Sequence, residues 1–191
     1  MTLKTIAAAA ALATLGSSAF AQTYLGVGIG ASQSCIHYYD ASGGCSDAGA
    51  TGKLLLGYAL PGTDFAIEGV YTHMGSFKGT APFGDVGTKV DTLGVGGAWR
   101  PQFGAGWGGV VRGGFAYGKA RTEYTLVQLG TPITTVHGST SDDYWKPYLG
   151  LGATYAVTSN IRLEAGLDFT RVGKRSPSNV NSLMLGATFG F

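Results

Sequence analysis

Charge is scarce in this chain. Of its 191 residues 13 are Lys or Arg and 11 Asp or Glu, about half the charged share of a soluble domain. The two signs nearly cancel, so electrostatics gives no case for a nucleic-acid partner. Long apolar runs are missing as well. After the N-terminus "KLLLGYAL" (53–60) is about the limit, far short of the roughly 20 residues a membrane-crossing helix needs. Cysteine is limited to Cys35 and Cys45. Two thiols with only His37 and Asp40 or Asp47 nearby make a poor metal site, and nothing in the sequence calls for a cofactor. Little charge and 33 glycines would suit a disordered chain, but the abundance of Tyr, Phe, Trp, Leu and Val argues for a folded one.

The first 21 residues are of a different kind. Lys4 precedes an apolar stretch from Ile6 to Leu15, and Ala19-Phe20-Ala21 supplies a small-x-small cleavage site, which together describe a secretory signal peptide. The remaining 22–191, about 170 residues, suffice for one domain. An exported chain meets an oxidising compartment, so Cys35 and Cys45, close together in a polar Gly/Ser/Asp segment, are expected to form a disulfide.

What the sequence has in quantity is alternation with period two, the mark of strands. In "SLMLGATFGF", Leu183, Leu185, Ala187, Phe189 and Phe191 share one face. In "NIRLEAGLDFTR", Ile161, Leu163, Ala165, Leu167 and Phe169 oppose Arg162, Glu164, Gly166, Asp168 and Thr170. No amphipathic helix is available to cover the apolar faces, which leaves an inside-out sheet with those faces toward lipid and the polar ones toward a narrow interior. Eight such segments can be traced, near 23–32, 51–60, 64–74, 89–100, 106–124, 143–157, 160–171 and 181–191, each long enough for a tilted strand to cross a bilayer. The connections at 61–63, 101–105 and 158–160 are short; those around 33–50, 75–88, 125–142 and 172–180 are long and polar. The expected fold is all-β, an eight-stranded antiparallel transmembrane up-and-down barrel with short turns at one end and long loops at the other.

"YLGVGIGAS" (24–32) tests this reading, because Gly26, Gly28 and Ala31 reproduce one dinucleotide-binding spacing. That fingerprint needs a helix after its glycines, whereas "ASQSCIHYYDASGGCSDAG" has no helical period. The same texture returns in "LGVGGAW" and "LGLGATY". These are small inward residues of a tight barrel, and no phosphate loop is present.

Taken together, the chain from Gln22 to Phe191 resembles the eight-stranded outer-membrane barrels of the OmpA/OmpX-like superfamily. Its last strand, "LMLGATFGF", carries the most specific likeness. The resemblance implies that Leu185, Phe189 and the terminal Phe191 are read by the outer-membrane assembly machinery. It also places the chain in the outer membrane of a Gram-negative bacterium, both termini at the periplasmic side. No periplasmic domain is expected after Phe191, so peptidoglycan tethering is not implied.

Side-chain parity sends Glu68, Arg112, Lys146, Arg162, Glu164 and Asp168 into the lumen. Charges in a narrow interior must pair, and three acids with three bases can do so. A structural plug is expected, with a gated ion path as the alternative. The histidines His37, His73 and His137 fall in or beside the long loops. His73 and Ser76 in "THMGS" could form a hydrolase pair of the kind used by lipid-modifying barrels, but an interfacial histidine is the plainer reading. Trp99, Phe103, Phe65, Tyr155, Phe189 and Phe191 near one end, and Tyr71, Tyr117 and Trp145 near the other, suit two interfacial girdles. Lys53, Lys78, Lys89, Lys119, Arg121, Arg171, Lys174 and Arg175 gather toward the long-loop ends, where a cationic rim would meet lipopolysaccharide phosphates. Thr-rich alternation continues on both sides of "GTP" (130–132), so 119–143 is expected to protrude as a hairpin that contacts an extracellular ligand. The expectation is a non-catalytic monomer with a structural and surface-interaction role; a small pore and a lipid A-modifying enzyme are the alternatives.

Overall fold

The computed structural model describes residues 22–34, 47–81, 84–128, 134–172 and 178–191. Each alternating segment is a strand: β1 (Thr23–Ser34), β2 (Asp47–Ala59), β3 (Phe65–Ala81), β4 (Gly84–Trp99), a short β5 (Gln102–Gly104), β6 (Trp107–Gln128), β7 (Thr134–Ala156), β8 (Ile161–Val172) and β9 (Ser178–Gly190). Neighbours in sequence pair antiparallel, except that β4 bonds β6 rather than the short β5, and β1 closes the ring on β9 from Tyr24↔Gly190 to Ser34↔Val180. The long strands therefore make the expected eight-stranded barrel. β5 only folds the 100–106 turn back onto β6, through Gln102↔Gly108 and positive φ at Gly104, Ala105 and Gly106. The expected signal segment 1–21, Cys35, Cys45, His37, Lys174 and Arg175 lie outside the described residues, as do the side chains of Lys78 and His137.

Parity holds around the wall. Leu25, Val27, Leu54, Leu56, Leu163 and Leu167 point outward and are exposed, whereas Leu55, Val70 and Val110 point inward and are buried. Gly26, Gly28 and Gly30 lie on the inward face of β1, which is followed by no helix among the described residues. Two inward glycines have a definite steric task. A Cβ at Gly57 would run into the Tyr24 ring, and one at Gly118 would run into the Tyr144 ring. Each ring lies over the glycine paired with it on the adjacent strand, and fits there only because that residue has no side chain. They belong to two buried apolar clusters. One holds Tyr24, Leu55, Ala66, Val70, Ala98 and Val110; the other, nearer the long-loop end, holds Met74, Val90, Tyr144, Val172 and Val180.

The long-loop end departs from expectation. The described part of the 75–88 segment, expected as a polar loop, is paired strand: β3 and β4 stay in register from Ser76↔Lys89 to Ala81↔Gly84, after a bulge at Gly75. The physical reason is that β4 has a partner on each side, since β4 and β6 pair as far as Gly84↔Leu126. A ladder satisfied on both edges can continue past the lipid. The protruding 119–143 hairpin is present, with β6–β7 register unbroken to Gln128↔Thr134, but it stands within a four-stranded sheet β3-β4-β6-β7. Among the described residues, β7 pairs with β8 only from Tyr148 onward. The edge of β7 from Thr134 to Pro147 is thus free of a strand partner among them.

Candidate functional site

Two groups of polar side chains stand out, one inside the barrel and one on its outer wall. Inside, Glu68 is fully buried (0% exposed) on β3. Its Oε1 accepts hydrogen bonds from Tyr24 Oη at 2.7 Å and Arg100 Nη1 at 3.1 Å, and its Oε2 accepts one from Arg112 Nε at 2.9 Å. Arg112, on β6 and 3% exposed, grips a second carboxylate in a forked pair, Nη1 to Glu164 Oε1 at 2.6 Å and Nη2 to Oε2 at 3.0 Å. Arg100 lies with its guanidinium carbon 4.5 Å from the Tyr24 ring centroid and its Nη2 4.0 Å from Glu164. Lys53 reaches across to Asp168 at 2.5 Å. Gly150 leaves room for the clamp, because a Cβ there would sit 2.5 Å from Asp168 Oδ1 and 2.6 Å from Arg112 Cγ. A carboxylate with all its oxygens engaged by paired cations is the arrangement in which a buried charge is tolerated.

The network differs from the expected three acids and three bases. Glu68, Arg112, Glu164 and Asp168 take part. Lys53, expected on the cationic rim, points inward because it shares parity with Leu55 and Thr51 on β2. Two further members, Arg100 and Tyr24, escape a reading by sequence parity. Arg100 sits where β4 gives way to the turn; its backbone N donates to Asp64 O at 2.7 Å and its side chain enters the lumen. Lys53, Arg100 and Arg112 therefore neutralise the three carboxylates, and Arg162 and Lys146 are left over. Both face inward, yet among the described residues neither forms an ion pair. Arg162 Nη1 and Nη2 instead meet the Gln102 side-chain amide, whose oxygen, when the amide is turned toward them, accepts from both at 2.9 and 3.1 Å. The surplus has a simple cause: Arg162 stands near the short-turn mouth and Lys146 toward the opposite mouth, where solvent replaces the missing counter-ion. With the charge clamp and the Met74–Tyr144 apolar layer in series, the lumen is filled as an eight-stranded interior should be.

The second group lies on the outer wall just beyond Tyr71. His73 Nδ1 stands 2.7 Å from Asp91 Oδ1, and Tyr71 Oη donates to the same oxygen at 2.9 Å. One carboxylate oxygen thus fixes a ring and a phenol from the neighbouring strand. Lys119 and Arg121 on β6 face outward beside it, across from Asp91 and Lys89. Arg171 also faces outward, its Nε donating to Asn179 Oδ1 at 3.2 Å. Among the described residues no three His, Cys, Asp or Glu side chains cluster to hold a metal.

Aromatic rings bound the apolar band on both sides. Trp107 and Tyr155 pack at 5.0 Å near the short turns, with Phe65, Trp99 and Phe103 exposed at that end, and Tyr117 and Trp145 pack at 5.6 Å at the other. Leu185, Phe189 and Phe191 are exposed on the outward face of the last strand and at the residue after it.

The model of the outer membrane protein beta-barrel domain matches residues 7–191. Among solved structures, the fold is similar to Neisserial surface protein A, at 17% identity and TM-score 0.64, over 88% of this chain and 97% of that one. It is similar also to Ail, the attachment invasion locus protein of Yersinia pestis, at 18% and 0.55, over 89% and 99%. A major outer membrane protein from Thermus thermophilus matches at 15% and 0.57, over 88% and 99%. At such identities the likeness is one of fold. No curated protein matches the chain.

Proposed function

We propose a surface-contact role for this chain, which belongs to the outer membrane protein beta-barrel domain family: it presents the β3-β4-β6-β7 sheet outside the cell and holds it there on a filled barrel. The observation that carries this reading is the β7 edge from Thr134 to Pro147, free of a strand partner among the described residues. An unpaired edge offers a row of backbone donors and acceptors to an incoming strand. Its lower part is blunted by Asp142, Asp143, Lys146 and Pro147, the devices that discourage indiscriminate pairing. The upper part, "TTVHGSTS" (134–141), carries no Asp, Glu, Lys, Arg or Pro, and is where a partner strand would add. The fold shared with Ail, a protein named for attachment and invasion, supports the same role. Outward Lys119, Arg121 and Arg171 support contact with lipopolysaccharide phosphates at the base of the sheet. A pore is disfavoured by the buried Glu68 clamp.

The test is to shorten Thr122–Ser141 to a tight turn. The variant should still migrate as a heat-modifiable barrel on gels and lose binding of expressing cells to host cells, matrix or serum proteins. Full binding in that variant, with loss in a 33–50 deletion, would assign contact to the other loop.

A further inference from the structure

The short-turn mouth of the barrel holds a cavity of about 250 Å³ that the surface-contact reading does not use. It is smaller than the roughly 300–1,000 Å³ of sites for drug-sized ligands. Its floor is made by Tyr24, Arg100 and Thr188, all buried. Arg100 Nη2 donates to Thr188 Oγ1 at 3.5 Å, and Arg100 Nη1 donates to Glu68 at 3.1 Å. The charge clamp therefore closes the inner end, and a solute enters and leaves by the same mouth. In the layout of such barrels that mouth faces the periplasm.

Two local devices build the walls. The tight turn after β2 has positive φ at Gly62 and closes with Thr63 N donating to Leu60 O at 3.2 Å. Asp64 follows it, exposed, its carbonyl oxygen accepting from Arg100 N at 2.7 Å. The short β5 folds the 100–106 turn back, which brings the Gln102 amide to Arg162. A guanidinium carries five N–H groups in a rigid fork, so donors remain for a ligand beyond those that meet Gln102. Asp64 and Arg162 line one cavity, yet among the described residues neither is in an ion pair, with the other or with any third group. The Gln22 side-chain oxygen lines the same cavity, buried and without a hydrogen-bond donor among the described residues. Buried acceptors are normally paired. One acid, one base and one acceptor thus face a common space and leave one another unmet.

We infer that this mouth binds a small zwitterion of the α-amino-acid type, its carboxylate on Arg162 and its ammonium on Asp64 and the Gln22 oxygen. The charge pattern selects the ligand. One unmatched guanidinium suits a single planar monoanion, which it can take in a forked pair. A phosphate dianion would find too little positive charge here and would meet repulsion from Asp64. An ammonium supplies the donor that Gln22 is missing and neutralises Asp64. Arg162 is not needed for the charge balance of the lumen, because Lys53, Arg100 and Arg112 already match Glu68, Glu164 and Asp168. Its counter-ion arrives with the ligand. With the clamp as its floor, the site holds a periplasmic solute without passing it across the membrane.

The experiment is a titration of the full barrel, isotopically labelled and refolded in phospholipid nanodiscs, followed by two-dimensional NMR. The probes are L-alanine, alaninamide without the carboxylate, propionate without the ammonium, and inorganic phosphate. L-Alanine should give saturable shifts at Thr23, Gln102 and Asn160, all at the short-turn end. Alaninamide and propionate should each bind about tenfold more weakly or worse, and phosphate should not saturate. Arg162→Gln should lower the affinity for L-alanine by about ten- to a hundredfold, the loss expected for one charged hydrogen-bonding partner. Asp64→Asn should weaken L-alanine and leave propionate unchanged, and Lys146→Gln at the opposite mouth should bind as the wild type does. Heat-modifiable migration checks that each variant is folded, and the ligand series on the wild type needs no variant. No saturable shift with L-alanine, or equal affinity in wild type and Arg162→Gln, would overturn the site. Phosphate or propionate binding as tightly as L-alanine would overturn the choice of a zwitterion.

Discussion

Replacing Arg112 by Met keeps an apolar stem of similar length and deletes the one group that holds two buried carboxylates at once. Glu68 would keep Tyr24 and Arg100, at 2.7 and 3.1 Å. Glu164 would be left with Arg100 Nη2 at 4.0 Å, beyond hydrogen-bond reach. An interior carboxylate stripped of its partner typically costs about 3–5 kcal/mol, and Glu164 is the one stripped here. Adding Glu164→Gln removes that stranded charge, so the double variant should recover by about 1–3 kcal/mol relative to the sum of the single changes. The measurement is urea unfolding of the barrel in phospholipid vesicles, with the folded fraction read from heat-modifiable migration. A cost for Arg112→Met below about 1 kcal/mol, or strict additivity in the double variant, would show that the clamp is not what stabilises the lumen.

Arg162→Met should be nearly neutral in the same assay, within about 0.5 kcal/mol, because no carboxylate is left unpaired; a loss as large as that of Arg112→Met would mean that Arg162 has an acidic partner after all. Leu167→Arg places a cation on the lipid face between Leu151 and Leu183 and should cost about 2–4 kcal/mol near the midplane. Gly166→Arg should instead block assembly, since even a Cβ there would stand 2.8 Å from Leu151 O; equal behaviour of these two variants would contradict the assigned parity. The Cys35–Cys45 bridge is expected to close a short loop worth roughly 2–3 kcal/mol without being needed for assembly, and free thiols found by alkylating the untreated protein would disprove it.

The barrel is legible because period-two alternation is a local signal and a lipid-facing wall enforces it on every strand. Leu163 and Leu167 against Glu164 and Asp168 can have only one arrangement once no helix is available to cover the leucines. Strand length is less legible. The 75–88 stretch reads as polar, and polarity ends a strand only where the ladder has no further partner. Here β6 continues beside β4 to Leu126, a pairing between segments far apart in sequence that no local pattern announces. The Gly75 bulge is equally invisible in "THMGS", yet it reverses the parity of the β3 residues after it and thereby puts Ser76 on the same face as His73.

Charge pairing is harder to read, because the residues that escape notice lie at strand ends. Arg100 follows the last residue of β4 and has the sequence setting of a turn residue. Its backbone is tied to Asp64, which aims the long side chain back into the lumen toward Glu68. Tyr24, second residue of β1, carries no charge to flag it, though its hydroxyl completes the Glu68 shell. Lys53 misleads for a different reason: lysines near a polar loop are usually solvated, and only its parity with Leu55 argues otherwise. Adding Lys53 and Arg100 to Arg112, Lys146 and Arg162 leaves more inward bases than inward acids, a surplus that a sealed interior could not hold. The structure resolves that conflict by position. The neutral set occupies the middle of the barrel, and the two unmatched cations stand toward its wet ends, where a charge costs least.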